Sequence, residues 1–97
     1  MIDDADFIRL FNAAAVAAKT DISPPLPAER LDQTLPELQI DSLDTLIVGF
    51  YLCDAFGVPE EDGKHFRPAT VGEFKDLLLA KTTKESINVD EAIGNFK

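Results

Sequence analysis

The chain has 97 residues, 45% of them hydrophobic and 28% charged, which is ordinary for one small globular domain. Its 18 acidic and 9 basic residues give a formal net charge of −9. Nucleic acids and anionic membranes attract cationic surfaces, so this charge argues against both as partners and favours basic protein surfaces.

Nothing in the sequence predicts a membrane or secretory protein. No stretch approaches the roughly 20 apolar residues of a membrane span. The start "MIDDADF" lacks the basic and apolar regions of a secretory signal. A single cysteine, Cys53, rules out a disulfide within the chain. We therefore expect a cytoplasmic protein.

A helix is predicted over residues 3–20, "DDADFIRLFNAAAVAAKT". Asp3 and Asp4 suit its N-terminal end, where carboxylates are stabilised. Apolar residues recur at helical spacing and predict one buried face: Phe7, Leu10, Phe11, Ala14 and Ala18. The helix should end before Pro24, Pro25 and Pro27, which cannot continue it.

Residues 19–40 form a long connection, which usually has a function or is held to the core. We expect its spaced apolar residues to anchor it in the core: Leu26, Leu31, Leu35, Leu38 and Ile40.

A second helix is predicted from Asp41 or Ser42 to about Phe56, with Gly57 as its C-terminal glycine and Pro59 preventing its resumption. Gly49 in mid-helix suggests a close approach by another group. Spacings of three and four predict the following inward set: Leu43, Leu46, Phe50 and Cys53.

Residues 59–69 should hold at most a short helical turn. Thr70 and Glu73 have capping-box spacing and open another helix, with the apolar stripe Val71, Phe74, Leu77 and Leu78. Asn88 and Glu91 repeat that spacing, with Val89, Ile93 and Phe96 on one side. This tail is either a short docked helix or a frayed end, and the sequence leaves both open.

The predicted fold is therefore all-α: a small antiparallel helical bundle of three main helices and one short helix, with a long structured loop between the first two. Residues 1–81 form the bundle. Residues 82–97 form a C-terminal extension, with a fifth helix as one alternative.

No residue pattern predicts catalysis or a metal site. Cys53 is expected to be a buried hydrophobe, and His65 an exposed residue in a polar turn. Ser42 as a hydrolytic nucleophile would need a general base, and nothing in the sequence places His65 beside it. We predict that the chain is not an enzyme and has no catalytic residue.

The segment "IDSLD", residues 40–44, has a local explanation in helix capping. Asp41 or Ser42 can cap the helix, and Asp44 suits its N-terminal dipole. Ser42 nevertheless lies where loop and helix meet, so its hydroxyl should be exposed. A helix N-terminus accommodates a phosphate group well, which makes such a serine a suitable attachment point for a phosphodiester-linked group.

The segments "DQTLPELQIDSLDTLIVGFYLCDAFGVPEED" and "TVGEFKDLLL" together resemble the acyl carrier proteins. The resemblance spans roughly residues 31–80. In that family, the serine of a D-S-L motif receives 4′-phosphopantetheine from coenzyme A, and the thiol of this arm carries acyl groups as thioesters between enzymes. The resemblance thus implies a monomeric, non-enzymatic carrier with the arm on Ser42.

Its implied partners are a phosphopantetheinyl transferase and enzymes that load, modify and transfer acyl groups. Asp41, Leu43 and Asp44 would face them. The resemblance also implies that these residues belong to the core: Leu46, Phe50, Phe56, Val71 and Phe74.

Two departures from the family pattern are visible. The second helix has fewer acids than usual, and its Asp44, Ile47, Tyr51 and Asp54 share one side, which suggests an apolar partner surface and a specialised lipid, fatty-acid or polyketide-type pathway. Alternatively, Ile47 and Tyr51 pack under the long loop or the tail. The turn "GKHFRPA" is also longer than usual, carries the basic pair Lys64 and Arg67, and offers Phe66 as a core anchor.

A competing hypothesis is an unmodified helical interaction module. It would keep the fold without the arm and bind partners through the apolar surface of the second helix.

Overall fold

The computed structural model describes residues 2–18 and 26–96, and these ranges form five α-helices. The helices are α1 (Asp4–Ala18), α2 (Ser42–Phe56), α3 (Glu60–Gly63), α4 (Val71–Lys81) and α5 (Val89–Asn95). The described ranges contain no strand, apart from an isolated antiparallel bridge between Thr34 and Thr70. The predicted all-α bundle, with three main helices and one short helix, is confirmed.

Helix α1 forms one wall of the core. Its predicted apolar face is buried, as expected: Phe7, Leu10, Phe11, Ala14 and Ala18. The rings of Phe7 and Phe56 meet edge to face at a centroid distance of 6.0 Å, as do those of Phe11 and Phe74. These aromatic contacts join α1 to α2 and α4. Residues 19–25, with Pro24 and Pro25, lie outside the described residues.

The ends of α2 agree with the prediction. Asp41 is the N-cap, with its side chain accepting from the backbone N–H of Asp44. Gly57 ends the helix with a left-handed backbone at φ 68°, which glycine adopts without steric cost. The following segment is fastened there, because the Thr82 and Thr83 hydroxyls donate to the carbonyls of Phe56 and Gly57 at 2.5 and 2.8 Å.

The predicted inward face of α2 is largely wrong. Leu43 is 64% exposed and Leu46 is 37% exposed, while Phe50 is half-buried. The buried residues are Val48, Gly49, Leu52, Cys53, Ala55 and Phe56. The helix is nearly all apolar, so its pattern did not distinguish one face from the next.

Packing rather than periodicity selects that face. A Cβ placed on Gly49 would lie 3.5 Å from Cζ of Phe74, so the Phe74 ring lies directly on the helix backbone. This is the close approach predicted for Gly49. Phe56, Val71 and Phe74 are core residues as the resemblance implied.

The long connection is anchored as predicted by Leu35, Leu38 and Ile40, which are buried, and less fully by Leu31. Leu26 is 47% exposed, so that prediction is wrong.

Ala28 takes the place expected for Leu26. Its N–H donates to Asn12 Oδ1 at 2.8 Å, and Asn12 Nδ2 donates to its carbonyl at 3.1 Å. This paired hydrogen bond to α1 seats the small Ala28 in the core and leaves Leu26 outside.

Helix α4 begins at the predicted capping box. Thr70 Oγ1 accepts from the Glu73 N–H at 3.1 Å, and Glu73 Oε1 accepts from the Ala69 N–H at 3.2 Å. Val71, Phe74 and Leu78 are buried as predicted. Leu77 is only half-buried.

The tail forms a docked helix, which decides between the two alternatives. Asn88 Oδ1 accepts from the Glu91 N–H at 3.1 Å, and α5 packs on α1, where Arg9 and Asp90 form an ion pair. Val89, Ala92 and Phe96 are buried, and Ile93 is partly buried. None of the described helices is long and apolar enough to cross a membrane.

Helices α2 and α3 meet at a very close contact. A Cβ placed on Gly63 would lie 2.5 Å from Cys53 Sγ, so only glycine fits there without a shift. Cys53 is fully buried, as predicted. Burial raises the pKa of its thiol from the usual 9.0 to about 11, with further contributions from Asp62 and Glu60.

We predict that Gly57→Ala destabilises the protein by about 1–2 kcal/mol, because alanine disfavours the left-handed conformation and its Cβ would lie 2.5 Å from Thr83 Oγ1. Gly94→Ala in α5 is the matched control. A Cβ there meets nothing within 4 Å, so it should stabilise the protein by about 0.5–1 kcal/mol. Urea unfolding measures the free energy of unfolding of both variants. Equal changes would contradict the left-handed conformation and the close contact at Gly57.

We also predict that Cys53 makes stability fall between pH 9 and about pH 11. The folded state keeps the thiol proton to higher pH than the unfolded state, so unfolding releases that proton in this window. The contribution is complete below pH 9. The free energy of unfolding of Cys53→Ala should decline less steeply over the same range, and identical slopes would refute the prediction.

Candidate functional site

Ser42 is the first residue of α2 and is exposed. Asp41 is the cap, so Ser42 is not. The Asp41 carboxylate accepts from the Asp44 N–H at 2.8 Å, and the Asp41 carbonyl accepts from the Thr45 N–H and hydroxyl, each at 2.8 Å. Within the described ranges, the Ser42 hydroxyl has no hydrogen-bond partner. Capping therefore accounts for Asp41 and leaves the Ser42 hydroxyl available.

A tight turn before Ser42 holds it at the surface. Residues Pro36–Leu38 form a 3₁₀ turn that ends at Gln39 with a left-handed backbone, φ 62°. The Ile40 N–H donates to the Leu35 carbonyl at 3.1 Å. Leu38 and Ile40 are buried on either side of this bend, so the chain emerges at Asp41 in a defined direction.

The capping of that turn was not predicted. The Glu37 carboxylate accepts from the Thr34 N–H at 2.6 Å, and Thr34 Oγ1 accepts from the Glu37 N–H at 3.4 Å. The string "TLPE" has the S/T-x-x-E spacing that would have revealed it. The turn is also joined to the start of α4, because the Leu35 N–H donates to the Ala69 carbonyl at 3.1 Å.

Ser42 opens onto a groove of about 1200 Å³. Two chain segments line it, residues 34–46 and residues 63–69, together with Phe74 of α4. Its apolar lining includes Leu35, Ile40, Leu46, Phe66 and Phe74. Phe66 packs edge to face on Phe74 at 6.5 Å, which confirms it as an anchor of the long turn.

Three side chains with basic character line the same groove: Lys64, His65 and Arg67. All three are exposed. Arg67 Nη1 donates to the carbonyls of Lys64 and Phe66 at 2.9 and 2.7 Å. The sequence showed this basic pair only as part of a lengthened turn, because nothing local indicates that residues 64–67 fold back towards Ser42.

Ser42 and His65 therefore line one groove, which the sequence had given no reason to expect. No hydrogen bond joins them among the described contacts, whereas a nucleophile and its base lie within hydrogen-bonding reach. Within the described ranges, no group of three or more His, Cys, Asp or Glu side chains could hold a metal ion.

The predicted recognition strip on α2 is partly covered. Asp54 is exposed and Asp44 half-buried, but Ile47 and Tyr51 pack against the core. The Tyr51 ring lies 5.4 Å from that of Phe96, so the tail shields it. Leu43 and Leu46 are the exposed large apolar residues of α2, and they lie close to Ser42.

The chain matches no protein-family model, and no curated protein or solved structure matches it.

We predict that Asp41→Ala lowers the free energy of unfolding by about 0.5–2 kcal/mol, because the first turn of α2 loses its side-chain cap. Asp41→Asn is the matched control: its amide oxygen can accept the same Asp44 N–H, so most of the stability should remain. Chemical denaturation separates the two. If the alanine and asparagine variants were equally stable, the cap would not support this site.

Proposed function

We propose that this chain is a carrier protein of the acyl-carrier type, with a 4′-phosphopantetheine arm attached to Ser42. It would hold acyl or aminoacyl groups as thioesters and deliver them to enzymes of a specialised lipid, fatty-acid or polyketide-type pathway. The observation that carries the proposal is Ser42 itself, an exposed hydroxyl without a hydrogen-bond partner in the described ranges, in the first turn of α2 beside an open groove.

The residues around Ser42 fit such an arm. Position in the first helical turn leaves the N–H groups of Ser42 and Leu43 without intrahelical acceptors, and the helix dipole favours an anion there. The Asp41 carboxylate accepts a hydrogen bond from the Asp44 N–H and none from the Ser42 hydroxyl. The groove offers space for the arm along its apolar lining.

Attachment would use the Ser42 oxygen as nucleophile. The oxygen attacks the coenzyme A phosphorus nearest the pantetheine, a new Ser42 O–P bond forms, and the pyrophosphate P–O bond breaks to release adenosine 3′,5′-bisphosphate. The transferase supplies the base that takes the serine proton. Once attached, the arm supplies the thiol on which cargo is held as a thioester.

Partner enzymes would dock around the start of α2. The exposed residues there are Asp41 and Leu43, which combine negative charge with an apolar contact. With a net charge of −9, the chain should be steered towards basic surfaces. Asp44 and Asp54 extend this face, while Tyr51 contributes only where Phe96 leaves it uncovered.

The test is incubation with a phosphopantetheinyl transferase and coenzyme A, followed by intact mass spectrometry. We expect the mass of one arm per chain, and none on Ser42→Ala. Ser86→Ala removes another exposed serine and should still be modified. His65→Ala should also be modified, because His65 has no role in attachment. Labelling of Ser42→Ala, or none on the native chain, would overturn the proposal.

The alternative is an unmodified interaction module that binds through α2. The exposure of Leu43 and Leu46, at 64% and 37%, favours it because adjacent exposed apolar side chains can mark a protein interaction site. Chains purified from their native cell would then carry no arm, and Ser42→Ala would keep full partner binding. Leu43→Ser would abolish that binding without changing the state of Ser42.

A further inference from the structure

Cationic side chains are concentrated on one segment of the groove. The chain has nine lysines and arginines and one histidine against 18 acidic residues. Lys64, His65 and Arg67 lie within four positions of one another and all line the groove beside Ser42. Because acidic residues outnumber basic ones two to one in this chain, a cluster of basic side chains gives the groove an unusual local charge.

The charges of Lys64 and Arg67 are not used in ion pairs between described residues. Ion pairs between described residues join Arg9 to Asp90, Arg30 to Asp32, and Lys75 to Asp4. Within the described ranges, neither Lys64 nor Arg67 pairs with a carboxylate. Arg67 uses Nη1 for two loop carbonyls, but a guanidinium has five N–H donors, so donors remain for a ligand.

The groove contributes little negative charge of its own. Asp41 is the one carboxylate among the residues that line it, and its side chain is hydrogen-bonded to the Asp44 N–H. The groove therefore combines an apolar lining with a basic segment. An acyl chain matches the apolar lining, and an anionic group matches the basic segment.

We propose that the cargo of this carrier is an acyl group that ends in a carboxylate, with its methylene chain on the apolar lining and its carboxylate bound by Lys64, His65 and Arg67. This inference rests on the proposed function, because it takes the cargo to be tethered at Ser42. A purely hydrocarbon cargo would leave Lys64 and Arg67 without an anionic ligand.

The arm itself contains a second anion, its phosphodiester, and the test must separate the two. Pantetheine lacks the phosphate, so a pantetheine thioester presents only the cargo. We would titrate S-glutaryl-pantetheine, which ends in a carboxylate, and its terminal amide, which has nearly the same shape without charge. Backbone N–H signals of Ser42 and of residues 63–67 and 69 in nuclear magnetic resonance spectra report binding.

We expect the carboxylate ligand to bind the unmodified protein about fivefold more tightly than the amide at low salt, as for charge-assisted hydrogen bonds at an exposed site. Salt should reduce this preference. The double variant K64Q/R67Q should bind both ligands equally. The control K81Q/K84Q removes the same charge outside the groove and should keep the preference.

Arg67 also braces the loop, so its replacement could disturb the groove. Lys64→Gln alone is the second variant, because no side-chain hydrogen bond of Lys64 lies among the described contacts. It should lose most of the preference with the native spectrum otherwise intact. Equal affinity of the native chain for carboxylate and amide would overturn the proposal.

The same spectra of the modified protein distinguish the remaining outcomes. The unloaded arm alone could shift the N–H signals of residues 63–67 and 69, with no further shift from a carboxylate cargo. In that case Lys64 and Arg67 bind the phosphodiester, and the cargo proposal is wrong. If the transferase adds no arm, the proposed function fails, while the pantetheine titration still decides whether the groove selects a carboxylate. If the arm is added but the titration shows no preference, only the cargo inference fails.

Discussion

The packing of the Phe74 ring is the contact on which the rest of the structure depends. It meets Phe11 of α1 at 6.0 Å and Phe66 of the long turn at 6.5 Å, and it lies on the backbone of α2 at Gly49. One side chain of α4 thus positions α1, α2 and the turn that carries the basic residues. Phe74 also lines the groove, so the core is continuous with the proposed cargo site.

Backbone hydrogen bonds, together with the packing of Phe74, hold the segments around the groove in place. The connection before α2 is joined to the start of α4 by bonds from Leu35 to Ala69 and from Val71 to Gln33, both 3.1 Å. These bonds bring residues 34–42 and 63–69 together although they are distant in sequence. Ser42 is consequently held by a braced turn on one side and a capped helix on the other. A tethered arm attached there would start from a fixed point.

Much of the fold could be predicted because helix ends are determined locally. The expected residue lies at each of these helix boundaries, where its side chain or its backbone freedom is favourable: Asp41, Gly57, Thr70 and Asn88.

The buried face of α2 was not predictable in this way. Nearly every position from residue 46 to 53 is apolar, and the contact with Phe74 of α4 determines which side is buried. The burial of Ala28 instead of Leu26 also depends on a distant residue, because the side chain of Asn12 on α1 hydrogen-bonds to the Ala28 backbone. Position 42 was identifiable as a candidate from its motif and its helix start, whereas the basic side of the groove depends on long-range folding that no local pattern encodes.

The contact between Gly63 and Cys53 has a consequence for the dimensions of the groove. Gly63 lines the groove and immediately precedes the basic residues, while its other side touches the sulfur of Cys53 inside the core. A side chain at position 63 would require Cys53 or α3 itself to shift. The width of the groove thus depends on two small residues beneath the surface. A substitution at position 63 or 53 would therefore alter what the groove can admit without contacting anything inside it.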